Sequence, residues 1–246
     1  MLVKRINLII TTFTIMLILS ALIDNVVIAG GITFLIIIIG YIFIANKRSR
    51  KRLNLLKKYC DPYKFLKATE EQQKITGKNP KINAYLNIDK SVAFILMGNF
   101  QQAKEVLLSI DKSYLSNKNG TLLLYTINLI SCLYELGELS DAEELFETQI
   151  PILAPVNKRM NLAVNLLIAE RFFFLNRYKE SKEKFEEILS NEKLDKCTRL
   201  SILYTLAQID KQNGDLISAR NKYKEILDNG NKLYIAVKSK EYLMQT

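Results

Sequence analysis

The sequence predicts an all-α chain: an N-terminal transmembrane helical hairpin followed by an α-solenoid of stacked helix pairs. Three observations carry this reading. Residues 6–45 hold two long apolar runs with no charged residue inside either. A turn pattern built on Gly or Asn recurs four times between residues 96 and 227. Asp61-Pro62 and Asn79-Pro80 stand where helices of the second part should start, since Asp and Asn cap a helix and Pro fits its first position.

The runs are "INLIITTFTIMLILSALI" (6–23) and "VVIAGGITFLIIIIGYIFIA" (26–45). At about 1.5 Å per residue each gives a helix of roughly 27–30 Å, the thickness of a bilayer core. Asp24 and Asn25 supply the turn between them. A cleaved signal peptide would fit the basic start, Lys4 and Arg5. It would, however, have a shorter apolar stretch of about 7–15 residues and a small-residue cleavage site, not a second apolar run at once. Lys4 and Arg5 before the first span and "NKRSRKRLNLLKK" after the second place both ends on the cytoplasmic side of a plasma membrane. The expected organisation is residues 1–46 as two spans, 47–58 as a basic juxtamembrane segment, and 59–246 as a cytoplasmic helical domain. Polar Asn7, Thr11, Thr12, Thr14, Ser20 and Thr33 and small Gly30, Gly31 and Gly40 are assigned to helix packing, because transport paths need ionisable groups in the membrane.

The hydrophobic content of the 246 residues is 49%, high for a soluble protein, and the excess lies almost entirely in these spans. The net charge of +10 is equally localised. Residues 1–58 hold nine basic residues against Asp24 alone, which is +8; the rest holds 26 basic and 24 acidic groups. A near-neutral domain argues against nucleic acid. Lys47, Arg48, Arg50, Lys51 and Arg52 suit anionic lipid headgroups at about 1 kcal/mol each, or serve only as a topology signal. Cys60, Cys132 and Cys197 are too scattered for a zinc site or disulfide framework and read as reduced thiols. The chain has no His. With no Gly-rich phosphate loop, Gly-x-Ser-x-Gly or paired carboxylates either, no catalytic residue, metal site or cofactor is expected, and the chain reads as a non-enzyme. Richness in Lys, Ile and Asn points to a bacterium with an AT-rich genome.

The recurring segments are "LMGNFQQAKEVLLSI" (96–110), "ELGELSDAEELFETQI" (135–150), "FLNRYKESKEKFEEIL" (174–189) and "KQNGDLISARNKYKEIL" (211–227). Their turn positions, Gly98, Gly137, Asn176 and Gly214, are 39, 39 and 38 residues apart. Gly or Asn is placed there because the chain must take a left-handed turn. Ala103, Ala142, Ser181 and Ala219 allow two helices to cross closely. Residues two after the turn (Phe100, Leu139, Tyr178, Leu216) and four after the small one (Leu107, Phe146, Phe185, Tyr223) are expected to fill the space between helices. An apolar-periodic stretch precedes each turn, so the units lie near 82–111, 119–153, 157–191 and 195–229. A lone helix over 61–76 precedes them. A capping helix over 233–244 follows, covering the last unit with Leu233, Ala236, Val237 and Leu243.

These positions resemble the tetratricopeptide repeat, although the spacing is longer than that family's period of about 34 and its first-helix Trp is absent. The resemblance implies a concave surface lined by the first helix of each pair, where partners bind. The corresponding groove positions are Tyr85, Ile88, Val92 and Ile95; Ile127, Ser131 and Tyr134; Leu166, Glu170, Phe173 and Phe174; and Tyr204, Gln208 and Lys211. The competing reading of each is burial between neighbouring helices. As a groove they are mostly apolar and aromatic, which suits an amphipathic helix or apolar peptide. The expected function is a membrane-anchored protein–protein interaction scaffold. The alternative is a receptor that binds a small peptide and signals through the hairpin.

Overall fold

A computed structural model describes the backbone of residues 2–245 and the side chains of 10–245. The side chains of Lys4, Arg5 and Asn7 lie outside the described residues. Two compact units divide the chain, Met1–Lys51 and Arg52–Thr246.

In the first unit, α1 (Leu2–Leu22) is followed by a short break and α2 (Val26–Lys57). The Asn25 side chain accepts hydrogen bonds from the N–H groups of Val27 and Ile28 and so caps α2. Of the described residues, α2 is the one helix long and apolar enough to cross a membrane, while the described apolar part of α1, Ile10–Leu22, is shorter. Most of its apolar side chains are exposed, Val27 and Phe43 among them, but Ala29 and Thr33, one turn apart, are buried.

The sequence reading ended the second span near 45 and set 47–58 apart as a juxtamembrane segment. The helix itself runs unbroken through both segments, to Lys57. No Gly or Pro occurs between Gly40 and Pro62 to stop it. Residues from Arg52 onward belong to the second unit, where Leu53, Leu55 and Leu56 pack with Phe65 and Ala93. This corrects the assignment of Arg52 to lipid. Its side chain is only 12% exposed, ion-paired to Asp89 at 2.7 Å, hydrogen-bonded to Thr69 at 3.0 Å and set over the Phe65 ring. Lys47, Arg48, Arg50 and Lys51 are exposed. Arg52→Ala is therefore expected to lower stability by about 1–3 kcal/mol, whereas Lys51→Ala stays within about 0.5. Denaturant titration of the two variants checks the contrast.

The second unit continues with α3 (Pro62–Thr76), α4 (Pro80–Leu96), α5 (Phe100–Leu108), α6 (Thr121–Glu135), α7 (Leu139–Gln149), α8 (Lys158–Phe174), α9 (Tyr178–Asn191), α10 (Lys196–Gln212), α11 (Leu216–Asn229) and α12 (Tyr234–Gln245). The described residues are all-helical, with short 3-10 turns at Lys112–Tyr114 and Ile150–Ile152 and no strand. Asp61, Asn79, Asn157 and Asp195 cap α3, α4, α8 and α10 through their side chains. Within pairs, α4 packs on α5, α6 on α7, α8 on α9 and α10 on α11; between pairs, α4 meets α6, α6 meets α8, and α8 meets α10.

All four turn residues, Gly98, Gly137, Asn176 and Gly214, have positive φ, between 59° and 79°. Ala103, Ala142, Ser181 and Ala219 are each fully buried, and Leu107, Phe146, Phe185 and Tyr223 lie in the core. The residues two after the turn behave differently: Leu139 and Leu216 are 40% and 56% exposed. A fifth turn went unread. Cys60, 38 residues before Gly98, has φ 51°, followed at the same offsets by buried Phe65 and Thr69. The turn between α2 and α3 thus carries the same left-handed residue, with Leu56 of α2 and Phe65 of α3 in one cluster.

The two ends of this unit meet. The Lys232 N–H donates to the Cys60 carbonyl at 3.2 Å, and Asn231 Nδ2 donates to the Tyr59 carbonyl at 2.7 Å. Tyr234 stands edge-on to Phe100 at 5.5 Å, and a Cβ on Gly98 would come within 3.0 Å of the Tyr234 ring. Only glycine accommodates both that approach and the positive φ. Helix α12 covers α11 as expected, but with Leu233, Ile235, Ala236 and Ser239. Val237 is 56% exposed, because the helix's buried face is turned toward Tyr223 and the first pair.

Candidate functional site

Three of the residues assigned to the groove are core. Ile88, Ile127 and Tyr134 are 6%, 7% and 2% exposed. Each first helix packs on its own partner and on the first helices beside it, so its apolar residues are drawn into the gaps between them. Tyr85, Ile95 and Phe174 pack against the main core cluster, Val92 against the cluster at Phe65, and Leu166 and Phe173 against that of α9 and α10. Tyr85 also accepts a hydrogen bond from Asn119 at its hydroxyl. The remaining assigned residues are polar: Ser131, Glu170, Tyr204 and Gln208 are half-buried and Lys211 is exposed.

Ser131 Oγ donates to Glu170 Oε2 at 3.1 Å, linking α6 to α8. Glu135, one turn beyond Ser131 at the end of α6, joins them. Burial pushes the Glu170 carboxyl up to about 7, with the Ser131 hydrogen bond opposing. Glu135 rises to about 7 as well, through burial first and then the Glu170 charge. Its side chain is nonetheless open to solvent. Such a group lies in a recess with protein on most sides and water at its mouth. Both carboxylates also stand near the C-terminal ends of their helices, where the helix dipole disfavours negative charge. Tyr204 on α10 and Tyr234 on α12 complete the recess, their rings 6.0 Å apart. Burial and then the Glu135 charge push both hydroxyls up, Tyr204 to about 12.

Beyond Tyr204 the surface opens into a cleft of about 270 Å³ lined by Phe173, Gln208, Lys211, Tyr223, Lys238 and Tyr242, among others. Lys211 Nζ stands 5.2 Å from the centre of the Tyr242 ring, and Lys238 pairs with Glu241 at 2.9 Å. Of the residues read from sequence, the cleft brings together Phe173, Tyr204, Gln208 and Lys211. Glu135, Tyr234 and Tyr242 were missed. Glu135 follows Ser131 by four residues and so shares its helical face, a signal that could have found it. The tyrosines of α12 had none, since they lie outside the repeated positions and come in by packing on α10 and α11.

The recess has a consequence for stability. A carboxyl raised in the folded state keeps a proton that the unfolded chain releases between about pH 4.5 and 7, so stability is present below that window and falls as pH rises through it. Glu135 is open to solvent, so most of the effect rests on Glu170. The full chain is expected to lose about 2 kcal/mol of unfolding free energy between pH 5 and pH 8. Glu170→Gln should flatten that dependence, which urea titrations at the two pH values test.

The described residues contain no cluster of side chains able to hold a metal ion. The carboxylates of the recess and the amides, tyrosines and lysine of the adjoining cleft can bind and orient a polar segment; no nucleophile–base pair is assembled among these residues. No protein-family model, curated protein or solved structure matches this chain.

Proposed function

We propose that this chain is a membrane-anchored scaffold of tetratricopeptide-like repeats, in which α1 and α2 form a hairpin across the plasma membrane and the helix pairs form a cytoplasmic solenoid. The single observation that carries the reading is the repetition of one device. Four successive pairs share a left-handed turn and a fully buried small residue at the crossing, and the first helices of three of them, α6, α8 and α10, contribute to one recess. The partner is a protein segment held by its polar and basic side chains at Glu135, Glu170 and Gln208, in place of the amphipathic helix or apolar peptide that the sequence alone suggested. Lys47, Arg48, Arg50 and Lys51 remain available to anionic headgroups.

Affinity capture with the full chain in detergent micelles tests this. A partner held by the wild type should be lost from the Glu135→Gln/Glu170→Gln pair and kept by Glu183→Gln, an exposed position on α9. A partner kept by the double variant counts against the recess. One observation favours the second reading, a receptor for a small peptide: a 270 Å³ cleft accommodates one or two side chains rather than a helix. Retention of a short peptide without any captured protein would decide for it.

A further inference from the structure

Two thiols meet where the ends of the second unit close on each other. Cys60, in the left-handed turn after α2, is fully buried, and Cys197, in the first turn of α10, is 6% exposed. Both belong to one core cluster with Leu200, Leu203 and Leu233, and each thiol lies within the other's electrostatic reach. The backbone around them is held in place from both sides. Lys232 and Asn231 donate to the carbonyls of Cys60 and Tyr59, and Lys57 Nζ lies 3.9 Å from Asp195. The Cys197 thiol holds the Cys60 thiol below its usual range against the opposing effect of burial, with Lys196 assisting. The same interaction, with burial, pushes Cys197 up. The pair therefore contains one thiol biased toward the thiolate and one biased against it.

We propose that Cys60 and Cys197 form a reversible disulfide that fastens the turn after α2 to the start of α10 and locks the two ends of the unit together. The two thiols give up two protons and two electrons as the Sγ–Sγ bond forms. A diazene oxidant such as diamide takes them up and leaves as the hydrazine; a dithiol reverses the step. The bond closes a loop of about 140 residues, long enough for a large effect on the unfolded chain. Cys132 is the internal control: it is buried in α6, its thiol pushed up to about 12 chiefly by burial.

The test uses the full chain in detergent micelles, treated with diamide under native conditions, alkylated, digested and mapped by mass spectrometry. A Cys60–Cys197 peptide is expected, removed by dithiothreitol, kept in Cys132→Ser and absent from Cys60→Ser. The oxidised protein should unfold at least about 5 °C higher than the reduced one. Three thiols that all remain alkylatable, a linkage through Cys132, or a linkage that forms only in urea would overturn the pairing. A Cys60–Cys197 bond with no rise in unfolding temperature would overturn the lock. The wild-type peptide map decides the pairing even if a serine variant folds poorly.

Discussion

Asp210→Ala lowers the unfolding free energy of the chain by about 3 kcal/mol. The Asp210 side chain is fully covered and gathers three elements. Lys182 of α9 donates to one carboxylate oxygen at 2.7 Å, and Lys222 and Ser218 of α11 donate to the other at 2.6 and 2.7 Å. Removing it leaves two ammonium groups without their shared counter-charge. Those lysines are themselves 33% and 24% exposed and can turn partly to water, which keeps the cost at the lower end for a broken buried ion pair. Burial alone would raise the Asp210 pKa, but the hydrogen bonds from Lys182, Lys222 and Ser218 outweigh it and the carboxyl is held below its usual value. Its contribution is thus present above the unfolded carboxylate range, about 3.9, and is lost as pH falls through the lower folded value. Urea titrations should show the full difference at pH 7 and a smaller one near pH 3.

Tyr134→Ala costs about 3–5 kcal/mol, the range for emptying an aromatic core site. Its ring is stacked on Phe174 with centroids 5.0 Å apart and planes 4° from parallel. The hydroxyl donates to the Glu143 carboxylate, which is also held by Arg171 through Nε at 3.0 Å and Nη2 at 2.7 Å. Arg171 in turn pairs with Glu147 and lies over the Phe146 ring at 4.2 Å. Tyr134→Phe keeps the stack and should cost only about 1–2 kcal/mol. Circular dichroism melts of both variants distinguish this from a groove residue, whose loss would impair binding and leave the melt almost unchanged.

What the sequence made legible is local. Left-handed turns at Gly98, Gly137, Asn176 and Gly214, caps at Asp61 and Asn79, and the small residues at helix crossings each depend on a few neighbours in the chain. The positions it misplaced depend on distant ones. Arg52 looks like a lipid-facing cation until Asp89 and Thr69 are brought to it, and Val237 looks like a capping residue until α12 is turned by its contacts with the first pair. The Asn231 to Tyr59 hydrogen bond spans 172 residues, and no periodic pattern records such a closure. The recess shows the same division: Ser131 and Glu170 lie on repeat positions, whereas Tyr234 lies outside the repeats and reaches the recess beside Tyr204 of α10.

The most direct measurement is site-specific photocrosslinking of the full chain in intact cells, with the photoreactive residue at Gln208 in the cleft or at Glu183 on α9. A partner band from Gln208 and none from Glu183 is the expected result. A band from Glu183 alone would place recognition on the second helices and contradict the assignment of the recess.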